Sequence, residues 1–159
     1  MNWKASFESI TANPGSNDTN TVAKLLELGL NYLGLGIGLV SSVHEDVYRV
    51  EHASSPGDMI EPGTTFPIGH TYCWHTLKAN KPLGFHHAGD SSIATHPCYS
   101  HFKLESYIGA PIIVGDKAVG TVNFSAAAPR DPFCAADFEF VTTISRYLAQ
   151  AYFGKGEMH

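Results

Sequence analysis

The chain is short of basic residues. Ten Lys and Arg stand against fifteen Asp and Glu, for a net charge of -5, and no segment concentrates the cations. Nucleic-acid binding needs a clustered excess of Lys and Arg to displace counterions, so a nucleic-acid partner is not expected. Long apolar runs are also missing. The best candidate, Leu25 to Val43, is broken by Glu27, Asn31 and four glycines, whereas a membrane helix takes roughly 20 apolar residues in succession. No membrane span is expected. Cysteine is scarce and odd in number, at three, which does not suggest a disulfide framework. Met1-Asn2-Trp3-Lys4 has no charged-then-apolar signal layout. A reducing cytoplasm is the expected setting.

What is present suits one globular domain. The 159 residues are 43% hydrophobic and 16% charged, enough to bury a core without staples. Residues 8–21 are polar and turn-rich and read as a lead-in loop, with Thr21 as the expected N-cap of a first helix. Val22, Leu25, Leu26, Leu30 and Leu33 then recur at helical spacing until Gly34 and Gly36. Two extended stretches, Leu35 to Val43 and Val47 to Ala53, flank the short polar link His44-Glu45-Asp46 and predict a hairpin. Residues 54–64 read as a loop, Thr71 to Ala79 as a short helix, and Leu83 to His86 as a strand. Residues 88–100 are irregular. Tyr107 to Val114 and Ala118 to Ser125, joined by Gly115-Asp116-Lys117, predict a second hairpin. Along its second strand Ala118, Gly120, Val122 and Phe124 share one face, and Val119, Thr121, Asn123 and Ser125 the other. A last helix is expected from Ala135 to Tyr152, with Phe138, Val141, Ile144, Leu148 and Ala151 or Tyr152 as its apolar stripe.

This order predicts an α+β fold: an antiparallel sheet of five to six strands, terminal helices on one face, and a loop-covered pocket on the other. The expected boundaries are a lead-in at 1–21, one domain at 22–153 and a tail at 154–159. The order, together with Leu25-Leu26-Glu27-Leu28-Gly29, Gly38-Leu39-Val40-Ser41, Thr71-Tyr72-Cys73, His96-Pro97-Cys98-Tyr99, Leu104 to Pro111, Gly120 to Ser125 and Pro129-Arg130, resembles the GAF family. The closest likeness is to the sensory modules of bacterial sensor histidine kinases and diguanylate cyclases. That resemblance implies a small-ligand cavity and a homodimer paired through its terminal helices. It also implies a kinase or cyclase output domain, hence two-component or cyclic-di-GMP signalling.

Six of nine histidines and two of three cysteines fall between residues 70 and 101: His70, Cys73, His75, His86, His87, His96, Cys98 and His101. Imidazole and thiolate are metal ligands, but Cys73-x-His75 and Cys98-x-x-His101 are not paired metal-site spacings, and no metal is expected. The aromatics Tyr72, Trp74, Tyr99, Phe102 and Tyr107 read either as core filling or as the wall of a partly apolar pocket. The expected ligand-binding set is Tyr72, Cys73, His75, Cys98, Tyr99, Phe102 and Tyr107. Cys134 reads as the start of the last helix. Gly34-Leu35-Gly36-Ile37-Gly38 follows a helix, the wrong context for a dinucleotide fingerprint. No paired-carboxylate site is visible.

Two related GAF groups carry sharper implications. Bilin-binding photoreceptors attach their pigment through a cysteine followed by His. Here Tyr99 follows Cys98, so no bilin cofactor is expected. Free methionine-(R)-sulfoxide reductases are stand-alone GAF enzymes of similar length, and that likeness implies Cys98 as nucleophile and Cys73 as resolving thiol. The acids those enzymes carry near the end of the penultimate strand are here Asn123, Ser125 and Ala126, and Pro62 to Ile68 contains no cysteine. A non-catalytic sensor is therefore the leading expectation, with the reductase second and a ligand-free dimerisation module third.

Overall fold

The computed structural model describes residues 3–12, 18–54, 60–67, 73–87 and 104–153. In chain order these form α1 (Trp3–Thr11), α2 (Asp18–Leu33), β1 (Ile37–His44), β2 (Val47–Ser54) and β3 (Thr65–Pro67). There follow α3 (Cys73–Ala79), β4 (Leu83–Phe85), β5 (Ser106–Val114), β6 (Lys117–Ala126) and α4 (Ala135–Leu148). One π-helical turn, Ala149–Phe153, extends α4. The strands build a single six-stranded sheet in the order β3-β2-β1-β6-β5-β4, and each neighbouring pair is antiparallel. The α+β architecture expected from the element order is the one observed.

Turn chemistry closes both hairpins. β5 and β6 meet through Gly115-Asp116, with Gly115 at φ 68°, and a positive φ at the first central residue is what a type II′ turn needs. β1 and β2 meet through Glu45 and Asp46, both left-handed at φ 50° and 66°. That is the type I′ pattern, reached here without glycine.

Period-two alternation sorts the sheet into two faces. Val40, Ile108, Ala110, Ile112, Val122 and Phe124 point one way and join Val22, Leu25 and Leu26 of α2 and Phe140, Val141, Ile144 and Leu148 of α4 in the main core. Each of these side chains except Ala110 contributes about 1.5–3 kcal/mol on leaving water. Helix α2 sits close to the sheet because Gly29 leaves its place to the Phe124 ring, which any Cβ there would strike.

Four expectations need correction. Residues 8–11 belong to α1, whose Trp3, Phe7 and Ile10 pack on the main core; Trp3 lies edge-on to Phe140 at 5.2 Å. Thr21 is no cap, since α2 begins at Asp18 and Thr21 is buried inside it. Strand β3 was not foreseen; it adds three residues beside β2 and sets Phe66 6.2 Å from Tyr48. Finally, the stripe of α4 is centred on Phe140, which is fully buried, while Phe138 is only partly so.

Candidate functional site

The face of the sheet turned away from α2 and α4 carries polar side chains in its interior. Thr121 and Asn123 of β6, Tyr107 of β5, Ser41 of β1 and Tyr48 of β2 are all buried there. Helix α3 packs against β5 and β6 and closes over them with Cys73 and Thr76, three residues apart and so on one helical face. Leu39, Val50 and Phe66 border this second, smaller core.

The Cys73 sulfur is the hub. It accepts hydrogen bonds from Asn123 Nδ2 at 3.2 Å, Thr121 Oγ1 at 3.3 Å and Tyr107 Oη at 3.4 Å. Tyr107 Oη lies 2.8 Å from Thr76 Oγ1, and Thr121 Oγ1 lies 2.9 Å from Ser41 Oγ. Asn123 Nδ2 also reaches Tyr48 Oη at 3.1 Å. With Tyr107 and Thr121 donating to sulfur, Thr76 and Ser41 are left to donate to them in turn, so the hydroxyl protons run in one direction, toward Cys73.

Burial pushes the Cys73 thiol above its ordinary pKa, and the hydrogen bonds from Thr121, Tyr107 and Tyr48 offset only part of this. No cation stands beside it among the described residues. Tyr48 and Tyr107 are driven well above the ordinary tyrosine value, chiefly by desolvation and then by proximity to Cys73. At neutral pH the cage is therefore uncharged: a thiol, two phenols, three hydroxyls and an amide.

Of the residues expected to bind ligand, Cys73 and Tyr107 are brought together. His75 lies on α3 with its side chain outside the described residues, and Tyr72, Cys98, Tyr99 and Phe102 lie outside them altogether. From the histidine-rich segment, His86 and His87 are placed. The His86 carbonyl accepts the Arg130 N–H at 2.9 Å, and His87 Nε2 is 3.8 Å from Glu105. Among the described residues no three His, Cys, Asp or Glu are grouped as metal ligands. Sequence reasoning passed over Ser41, Tyr48, Thr76, Thr121 and Asn123. The one available signal was the polar run Thr121, Asn123, Ser125 on alternate positions of an otherwise apolar strand.

Arg130 ties the end of the edge strand β4 to the terminal helices. Its backbone holds His86, just past β4, while Nη1 donates to the Leu33 carbonyl at the end of α2 at 2.7 Å. Nη2 is 3.8 Å from Asp137 Oδ2, and that carboxylate accepts the Cys134 N–H at 2.9 Å where α4 begins. The guanidinium lies 4.3 Å over the Phe133 ring. Burial, followed by the hydrogen bond to Asp137, raises the Tyr32 hydroxyl to about 12.

Comparison with known proteins follows the same lines. A sequence model of the GAF domain matches residues 19–152. The GAF domain of an Acinetobacter phosphoenolpyruvate-protein phosphotransferase superposes with a TM-score of 0.79 at 12% identity, over 99% of this chain and 98% of that one. The GAF domain of a Bacillus halodurans two-component sensor histidine kinase gives 0.63 at 14% identity, over 86% and 97%. The free methionine-R-sulfoxide reductase of Neisseria meningitidis, in complex with its substrate, gives 0.72 at 10% identity, over 96% and 87%. Such low identities bear on the fold alone. Among curated proteins no sequence match is found.

Proposed function

The chain belongs to the GAF domain family, and on that premise we propose that it is a non-catalytic sensory module whose small ligand binds on the sheet face beneath α3. The observation that carries this reading is the buried, uncharged cage around Cys73, a set of polar anchors within an apolar surround. Small-molecule sites combine those two features. Tyr72, His75, Cys98, Tyr99 and Phe102 complete the proposed lining. The ligand class that fits is a neutral compound with an apolar body and a few hydrogen-bonding groups, because a charge set against this cage would go uncompensated.

Signalling then works as a population shift. A ligand that favours one position of α3 alters the position of His86, and through Arg130 the ends of α2 and α4. A coupling of about 1–3 kcal/mol is the usual scale for such communication. The terminal helices pair in a homodimer, and the output is a histidine kinase or diguanylate cyclase domain in the cytoplasm.

The reductase reading draws on the presence of Cys73 on this face, but its thiol is buried and held protonated, a poor state for thiol exchange. Two measurements decide. Native mass spectrometry of the protein from its expression host should reveal a bound small molecule that Asn123→Leu or Tyr107→Leu displaces. Incubation with free methionine (R)-sulfoxide and a thiol reductant should give no turnover. Turnover abolished by Cys98→Ser would replace the sensor with the enzyme.

A further inference from the structure

A groove of about 330 Å³ opens at the β5 edge of the sheet, between α4 and the connection from α3 to β4. It stands apart from the cage. β4 pairs with β5 only across residues 107–109, so from Ala110 onward the outer edge of β5 has no strand beside it among the described residues. An open edge invites another strand, but Pro111 lacks the N–H that a ladder needs. Strand addition is therefore disfavoured at this point of the edge, and the groove's recognition chemistry lies in its side chains.

Those side chains carry charge of one sign. Lys81 and Arg146 line the groove together with the polar Asn80 and Thr142 and the apolar Ala110 and Ile113. None of the lining residues is acidic, in a chain where acids outnumber bases fifteen to ten. The described residues give neither Lys81 nor Arg146 an ion-pair partner, whereas Lys4, Arg49 and Arg130 each have one. Two cations bordering one cavity, uncompensated, repel each other and gain from a shared anion. An arginine fork and a lysine ammonium together match the oxygens of a phosphate or of two carboxylates. The volume, at about 30 Å³ per water displaced, holds a body of roughly ten to fifteen non-hydrogen atoms.

We propose that this groove is a second binding site, taking a small organic dianion, either a phosphate monoester or a short dicarboxylate, clamped between Lys81 and Arg146. Because α4 supplies Arg146 and the α3–β4 connection supplies Lys81, an occupant bridges a terminal helix and the edge of the sensory face.

The test is an ¹⁵N-resolved NMR titration of the full chain at low salt with glycerol 3-phosphate, succinate and uncharged glycerol in separate arms. Saturable shifts confined to the amides of residues 80, 81, 110, 112, 113 and 142–146 are expected with at least one dianion, and none with glycerol. The stronger arm tells phosphate from carboxylate. Lys81→Gln with Arg146→Gln, both at exposed positions, should raise the dissociation constant at least about tenfold, since each removes a charge-assisted bond. Binding to the unaltered chain should also weaken as salt is added. No shift at these positions with either dianion, or binding indifferent to both salt and the double substitution, would overturn the proposal.

Discussion

Asn123 has two amide hydrogens and three acceptors within reach: Tyr48 Oη, Cys73 Sγ and Thr121 Oγ1. One hydrogen must be shared, so the cage has less slack than its number of bonds suggests. The consequence for Cys73 is chemical silence. Buried and held as a thiol, it should react with a disulfide-exchange reagent at neutral pH at least about tenfold more slowly than the exposed Cys134. Timed labelling in a Cys98→Ser background, read by mass spectrometry, checks the order, and a Cys73 that labels as fast as Cys134 would remove the buried-thiol picture. Residues 73 and 107 were legible as pocket candidates because cysteine and aromatic residues stand out in a sequence. Ser41, Thr76 and Thr121 were not, because a serine or threonine on a strand or short helix reads the same whether it faces water or a buried sulfur. His52 belongs to this scale too. Its Nε2 is buried without a partner among the described residues, and its ring meets Tyr152 edge-on at 5.0 Å. Desolvation lowers its pKa below 6.5, against the opposing pull of Glu51. The unfolded chain thus takes up a proton below pH 6.5 that the folded chain refuses, so stability falls as the solution is acidified through that point. His52→Phe keeps a ring against Tyr152 and should flatten this fall, as followed by denaturant midpoints across the range.

At the level of elements, β6 is fixed on both sides: to β5 by the turn at Gly115, and to β1 by a close backbone approach. Gly120 lies so near the Ser41 carbonyl of β1 that an added Cβ would collide with the main chain. Backbone cannot swing aside as a side chain does. Gly120→Ala should therefore cost about 1–3 kcal/mol or more, measurable by urea unfolding, and a neutral result would mean that β1 and β6 can separate locally at no expense. Hairpins and the amphipathic face of α2 were readable because period and turn residues agreed there. α1 was hidden because its apolar residues, Trp3, Phe7 and Ile10, run straight into a Pro-, Gly- and Asn-rich stretch, and the polar stretch dominated the reading. β3 spans three residues, too few for alternation to register. The stripe of α4 slipped because Phe138 stands three residues before Val141, whereas the buried face follows the i, i+4, i+8 row Phe140, Ile144 and Leu148, with Trp3 and Phe124 packed against Phe140.

The molecule as a whole divides its work across the sheet: a dry core under the helices, a polar cage on the reverse, and Arg130 joining the end of β4 to the terminal helices. If the terminal helices pair as proposed, the protein should elute as a dimer of twice the monomer mass by size exclusion with light scattering. A strict monomer at high micromolar concentration would separate ligand binding from helix pairing. Two residues before Tyr48 of the cage, the β1–β2 hairpin turns on Glu45 and Asp46, two adjacent acids in a backbone geometry that glycine and asparagine occupy more cheaply. The chain thus leaves some ruggedness unclaimed at its rim, where it can be recovered: Asn-Gly at these two positions keeps the same left-handed turn and offers an engineer a hardier scaffold.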